Sequence, residues 1–326
     1  MKCISKKRLA RVSILALLSL CLTGCGSKRF DIPYNPATAI SAYSFETSNT
    51  EATADAFASD LCVVSSDVSG NQIDMSMATA AGLFDVSRAD TLFAKNVHKA
   101  LNPASLTKTM TALLALKYGK LDDVLTASAN VNITESGAQL CGFKEGDKLT
   151  LDQVLHGLLM YSGNDAAVMI AEYISGSEEE FAKLMNEEAL SLGATNTNFV
   201  NPHGLTDDNH YTTAYDLYLI FNEVMKYDKF KEIIHMNSYT STYTDREGNP
   251  KELDFGTTNL YLTGDKTMPD NVSVIGGKTG TTNAAGSCLV LLSNNTAGEP
   301  YISVILQAND RDSLYVEMSN LLQEVQ

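Results

Sequence analysis

The chain contains no tryptophan, so any aromatic stacking platform would have to be built from its 14 Tyr and 11 Phe. Positive charge is scarce: 24 Lys and Arg stand against 39 Asp and Glu, a formal charge of −15. With a sequence pI of about 4.7, binding of nucleic acid or anionic lipid through bulk charge is excluded. No C-x-x-C pair is present among the six Cys, and the five His (98, 156, 203, 210 and 235) show no H-E-x-x-H spacing. Those absences remove the usual zinc-hydrolase and redox signatures, and neither a metal nor an organic cofactor is expected. No internal repeat is visible. What is present is 326 residues with 44% hydrophobic and 19% charged side chains, enough to bury a core and too apolar for disorder. Length alone allows roughly two compact units.

The first residues read as an export signal. Lys2, Lys6, Lys7, Arg8 and Arg11 form a basic start, and Val12 to Leu22 follow as an apolar run too short to span a bilayer comfortably. The run ends in Leu22-Thr23-Gly24-Cys25, which resembles a bacterial lipobox. Residues 1–24 are therefore expected to be a lipoprotein signal, with cleavage before Cys25 and lipidation of that residue. Loss of five positive residues takes the charge from −15 to −20, so a basic patch cannot be the membrane anchor and acyl chains must be. Residues 25–58 read as the lipidated Cys and a flexible tether, rich in Ser, Thr, Ala and Asp. Cys3 and Cys21 leave with the signal. Cys62, Cys141 and Cys288 remain and read as packing thiols, able to form at most one disulfide.

From residue 59 the pattern is mixed. Strands are expected at Leu61–Val64, Gly82–Val86 and Thr91–Phe93. Asn102-Pro103 then supplies a cap and a first-turn proline for a helix running to Tyr118. Between about 120 and 235 apolar residues recur at three- and four-residue spacing in 151–160, 165–174, 181–192 and 213–226. Strand-like runs return at Tyr239–Tyr243, Val272–Ile275, Cys288–Leu292 and Tyr301–Leu306, and a last helix covers Asp312–Gln323. The order predicts one sheet-containing region, 59–326, split by a helical insertion.

Three short motifs fall at informative places in that pattern. S-x-N occurs four times, and S-x-x-K is expected roughly once by chance in a chain of this size, so order and local structure carry the signal. Ser105-Leu106-Thr107-Lys108 lies in the first turn of a predicted helix. Ser162-Gly163-Asn164 lies between two predicted helices, and Lys278-Thr279-Gly280 ends a predicted strand. The i, i+3 spacing puts Ser105 and Lys108 on one helix face. A Ser hydroxyl needs a base at neutral pH, and Lys can be that base if burial and a nearby positive charge lower its pKa. The Ser105 N–H, in the first turn, lacks an intrahelical acceptor and can donate to a developing oxyanion.

With its flanks Pro103-Ala104, Asp165-Ala166-Ala167, Asn201-Pro202-His203-Gly204-Leu205 and Gly277 to Thr281, the set resembles the serine D-Ala-D-Ala carboxypeptidases. These are low-molecular-mass penicillin-binding proteins that share a fold with class A β-lactamases. The resemblance covers about residues 59–326. It implies an α/β (α+β) fold, with an antiparallel five-stranded sheet flanked by helices and an inserted all-helical subdomain at about 120–235. It implies Ser105 as nucleophile, Lys108 as base and Ser162 as proton relay. Asn164, Lys278, Thr279, Gly280 and Thr281 would bind substrate, with the Thr281 N–H as second oxyanion donor. Arg311, opening the last helix, is expected to grip the substrate's terminal carboxylate, because Arg can do so through two parallel bonds. His203-Gly204 reads as a turn with a buried, hydrogen-bonded ring, and both His203 and His210 are left outside the site.

The implied partners are peptidoglycan stem peptides, β-lactams as acylating inhibitors and a membrane held through the N-terminal lipid. The implied location is outside the cytoplasmic membrane. Because the chain stops just after the last predicted helix, the extra C-terminal β domain and amphipathic anchor frequent in the family are expected to be absent. Two alternatives belong beside this reading. A β-lactamase lacks support because no E-x-x-L-N segment lies between the S-x-N and K-T-G motifs. An inactive peptidoglycan-binding lipoprotein is disfavoured because all three motifs are intact.

Overall fold

The strands of the main sheet are apolar on both faces, and that sets the layering. A computed structural model describes residues 58–69 and 73–325. The expected signal segment, Cys25 and the expected tether up to residue 57 lie outside the described residues. The chain forms β1 (Ala78–Asp85) and β2 (Asp90–Lys95), then a 3-10 turn, Ala104–Thr107, leading into α1 (Lys108–Tyr118). Next come β3 (Val124–Thr126), β4 (Lys148–Thr150), α2 (Leu151–Leu159), α3 (Asn164–Ser175) and α4 (Glu178–Ser191). After α5 (Ala214–Val224) and α6 (Asp228–His235) follow the hairpin β5 (Ser238–Thr244) and β6 (Pro250–Gly256), then the short α7 (Leu260–Thr263). The last elements are β7 (Val272–Thr282), β8 (Gly286–Asn295), β9 (Pro300–Ala308) and α8 (Arg311–Gln323).

The main sheet is antiparallel, in the order β2-β1-β9-β8-β7. It is the five-stranded sheet that the sequence led us to expect. On β8 and β9, Val290, Leu292, Ile302, Val304 and Leu306 pack into the helical layer, while Leu289, Leu291 and Ile305 pack against Leu314, Met318 and Leu321 of α8. The period of two is thus present, but both faces are apolar and the strands read as near-continuous hydrophobic runs. At the centre of the helical layer lies α1, buried on all sides from Lys108 to Ala115. A helix apolar all round belongs in a core. Its amino end delivers Ser105 and Lys108 to the edge of the sheet.

Three expectations need correction. The insertion is not purely helical: β3 and β4 join β5 and β6 in a second sheet, order β3-β4-β5-β6. Strands of three residues, each burying one Leu (Leu125, Leu149), are too short for alternation to register. Leu61–Val64 alternates as a strand would, with Cys62 and Val64 buried and Val63 70% exposed. It nonetheless forms no strand. Its backbone is satisfied by side chains instead, Cys62 N donating to Tyr218 Oη and Val64 O accepting from His98 Nε2, each at 2.9 Å. Lys278 sits inside β7 rather than at a strand end, because β7 continues through Thr282.

The central position of α1 makes its packing a stability test. Leu114 is fully buried, so Leu114→Ala should destabilise the fold by about 2–5 kcal/mol, the range for emptying a core leucine site. Denaturant unfolding checks this; a change below about 1 kcal/mol would mean that the helix is not the packing centre.

Candidate active site

The nucleophile turn is a strained start to an otherwise ordinary helix. Ala104 has φ +48°, a left-handed value that an L-residue adopts only when its surroundings hold it there. Asn102 Oδ1, expected as the cap, accepts from Ala104 N at 3.0 Å. One residue later Ser105 faces Lys108, whose Nζ lies 3.0 Å from Ser105 Oγ. The same Nζ reaches Asn164 Oδ1 at 2.6 Å and the His203 carbonyl at 2.7 Å. Three acceptors match the three protons of an ammonium. A neutral amine at this position donates to the two carbonyl oxygens and aims its lone pair at the Ser105 hydroxyl. Burial pushes the Lys108 pKa well below 10.5, and the nearby positive charge of Lys278 pushes it further the same way.

Lys278 is also fully buried, and desolvation brings it down to about 7. Its Nζ donates to Ser162 Oγ and to the Thr279 carbonyl, each at 2.8 Å. Ser162 has φ +67°, a second strained residue, costing about 1–3 kcal/mol in isolation. The residue after Asn164 supports this turn. Asp165, 1% exposed, accepts from the N–H groups of Cys141, Gly142, Phe143 and Ala166 at 2.8–3.2 Å. It thereby clamps the 141–143 loop against Gly163. Cys141, Cys62 and Cys288 are buried free thiols, in keeping with a packing role.

The segment 201–210 contributes more than its sequence announced. Asn201 closes it on itself, accepting from Gly204 N at 2.7 Å and donating to Leu205 O at 3.1 Å. That fold presents the His203 carbonyl to Lys108. The His203 ring, as expected, is held within the turn: Nδ1 accepts from Leu205 N at 3.2 Å, which leaves the proton on Nε2, 3.3 Å from Glu178 Oε2. Pro202 O accepts from Thr111 Oγ1 at 2.6 Å, tying the segment to α1. The signal for this role was the His203-Gly204 turn itself, where Gly204 has φ +85°. Its function could not be read, because the contact with Lys108 spans 95 residues.

Ser105 and Ser162, bonded to Lys108 and Lys278 behind them, line a cavity of about 660 Å³ with Thr258, Thr279, Gly280, Thr281 and Arg311. A Cβ at Gly280 would lie 3.0 Å from both Ser105 N and Pro103 O, so glycine there lets the nucleophile turn sit directly on β7. At the other end Arg311 donates from Nη2 to Thr258 O at 2.9 Å, and Thr258 Oγ1 pairs with Thr279 Oγ1 at 2.6 Å. Neither neighbouring carboxylate neutralises the guanidinium: Asp310 caps α8 through Ser313 N, and Asp312 pairs with Lys266. Every site residue expected between 105 and 311 is therefore near this cleft. Thr258 was not anticipated. Among the described residues no group of three His, Cys, Asp or Glu is placed to hold a metal ion.

Comparison with known proteins agrees with the geometry. The family model described as D-alanyl-D-alanine carboxypeptidase, peptidase S11, matches residues 67–310. The chain is 39% identical over 221 residues to the D-alanyl-D-alanine carboxypeptidase DacF of Bacillus subtilis, covering 65% of this chain and 53% of that protein. It is 33% identical over 250 residues to DacC of Escherichia coli, covering 74% and 59%. The chain thus matches little more than half the length of these relatives. The crystal structure of the Streptomyces K15 DD-transpeptidase superposes with a TM-score of 0.71 at 25% identity, over 78% of this chain and 98% of that one. With the sheet order, the three motifs in one cleft and a family match over most of the described chain, the protein belongs to the D-alanyl-D-alanine carboxypeptidase family, peptidase S11.

Proposed function

We propose that this chain is an extracytoplasmic serine carboxypeptidase that removes the terminal D-Ala from peptidoglycan stem peptides through an acyl-enzyme. The observation that carries the reading is the Lys108 amine, buried 3.0 Å from Ser105 Oγ, with Lys278 and Ser162 in contact in the same site. Neutral Lys108 takes the Ser105 proton as Oγ attacks the penultimate D-Ala carbonyl. The Ser105 and Thr281 N–H groups receive the oxyanion. Ser162, polarised by Lys278, passes a proton to the leaving amine, and Asn164 holds both Lys108 and the substrate amide. Lys278, Thr279 and Arg311 receive the terminal carboxylate, and Gly280 allows close approach. Water then releases the shortened peptide. β-Lactams acylate the same Ser105. Export and lipidation at Cys25 place the site outside the membrane; among the described residues no helix is long and apolar enough to cross one.

The direct test is release of D-Ala from a pentapeptide ending in D-Ala-D-Ala, with intact-mass detection of one benzylpenicillin adduct mapping to Ser105. Ser105→Ala should lose both, and an adduct persisting in that variant contradicts the assignment. Rapid hydrolysis of the penicillin without D-Ala release would favour a β-lactamase.

Acylation at saturating penicillin should rise with pH through the depressed Lys108 pKa, because only the neutral amine is a base. It should level off well below 10.5. Lys278 loses its charge as pH passes about 7, so KM for a free-acid peptide should rise above that pH while KM for its C-terminal amide does not. Lys108→Arg should lose most acylation at every pH, since Arg keeps its proton.

Arg311→Ala should lower kcat/KM for the free acid roughly ten- to a hundredfold, the equivalent of about 1.5–3 kcal/mol for a charged hydrogen bond. The amide substrate should react equally poorly with both proteins. Equal losses on both substrates would make Arg311 structural. Cys25→Ser should release the protein from membranes or leave it unprocessed, as fractionation would show; mature protein starting elsewhere than Cys25 would count against the anchor.

A further inference from the structure

We propose that His210 is a positioning residue for the oxyanion site, acting through Thr107 on the peptide unit that joins Ala104 to Ser105. The inference rests on the reading of Ser105 as nucleophile and deepens it. His210 is 1% exposed and makes no contact with the cleft floor of β7 among the bonds observed. Its Nδ1 accepts from Val200 N at 3.2 Å, so the ring proton resides on Nε2. Nε2 lies 2.8 Å from Thr107 Oγ1 and donates to it. The Thr107 hydroxyl has one proton, and it goes to the Ala104 carbonyl at 2.8 Å. Each member of this chain therefore has one available direction, from ring to hydroxyl to carbonyl.

The consequence follows from peptide planarity. The Ala104 carbonyl and the Ser105 N–H belong to one trans peptide unit and point in opposite directions. Holding the oxygen aims the N–H, and that N–H is one of the two oxyanion donors. The unit needs holding, because Ala104 is at φ +48°, where the chain would relax if released. Gly204 leaves room for the Thr107 contact: a Cβ there would lie 1.9 Å from the Ala104 oxygen and 2.8 Å from Thr107 Oγ1. Asn102 secures the preceding N–H. Through Thr107, His210 thus adds to the contacts that hold the residue before the nucleophile.

The ring must be neutral for this. Burial brings the His210 pKa down to about 4, aided by the neighbouring charges of His203 and Lys108 and opposed by Asp207. An imidazolium would turn an Nδ1–H toward Val200 N–H and break the arrangement. At neutral pH the relay is intact.

The test is a double-mutant cycle on benzylpenicillin acylation of the full chain, with the acylation rate constant and the dissociation constant of the preceding complex measured separately by stopped flow. Loss of a whole oxyanion donor costs about 10²–10³ in rate, and a mis-aimed one should cost about tenfold. His210→Phe and Thr107→Val should each slow acylation about tenfold, with binding changed less than twofold. The double variant should be no slower than either single one. His210→Gln, whose amide can donate near the Nε2 position, should recover to within about threefold of the unmodified protein. Thr107→Val removes only a hydroxyl and keeps the test available if His210→Phe fails to fold. Multiplying losses in the double variant, or a loss confined to binding, overturns the relay. Variants as fast as the unmodified protein do the same. If the unmodified protein takes no acyl group, the reading of Ser105 fails and this proposal with it.

Discussion

A lysine amine buried away from bulk solvent is the constraint on which the rest depends. Lys108 is fully buried because it begins a helix that the core surrounds on every side. Burial disfavours the ammonium, and the three acceptors at 2.6–3.0 Å prevent the amine from being merely an unpaired polar group in a core. Those acceptors come from three separate parts of the chain: the nucleophile turn, the start of α3 and the 201–205 turn. Each therefore has to be brought to Nζ by its own supporting structure. The closed Asn201 turn, the Asp165 clamp and the glycine at 280 are such supports.

The supports carry strain as well as position. Ala104 and Ser162 both lie at positive φ. Each would cost about 1–3 kcal/mol alone, against a net stability for domains generally of about 5–15 kcal/mol. Such costs persist only where many bonds agree on one conformation. Four backbone N–H groups on Asp165 next to the Ser162 turn, and three separate contacts around Ala104, are agreement of that kind. Burial lowers the pKa of both lysines, and the charge of Lys278 adds to that effect on Lys108.

How much of this could be read beforehand depended on whether the physics was local. The Ser105/Lys108 pair follows from helix spacing, and the three motifs declared themselves by their place among predicted elements. The strands of the main sheet were legible as apolar runs, whereas their number and antiparallel pairing came from the family resemblance. β3 and β4 were not, since each buries a single leucine. Leu61–Val64 misled because alternation reports burial, whereas a strand also needs backbone partners, and here those are a Tyr and a His side chain. His203 was read correctly as a turn histidine, yet its carbonyl matters to the site more than its ring. His210 and Thr107 were passed over for the same reason: their contact spans 103 residues, and no periodicity carries that information.

The central claim is that burial and the charge of Lys278 hold the Lys108 pKa well below its ordinary value, so that the amine can act as a base. Selective isotopic labelling of lysine side chains, with Lys108 assigned from the Lys108→Arg variant, allows its amine to be titrated directly by NMR. The account predicts deprotonation well below the ordinary value of 10.5. A Lys108 amine that titrates near 10.5 would contradict it.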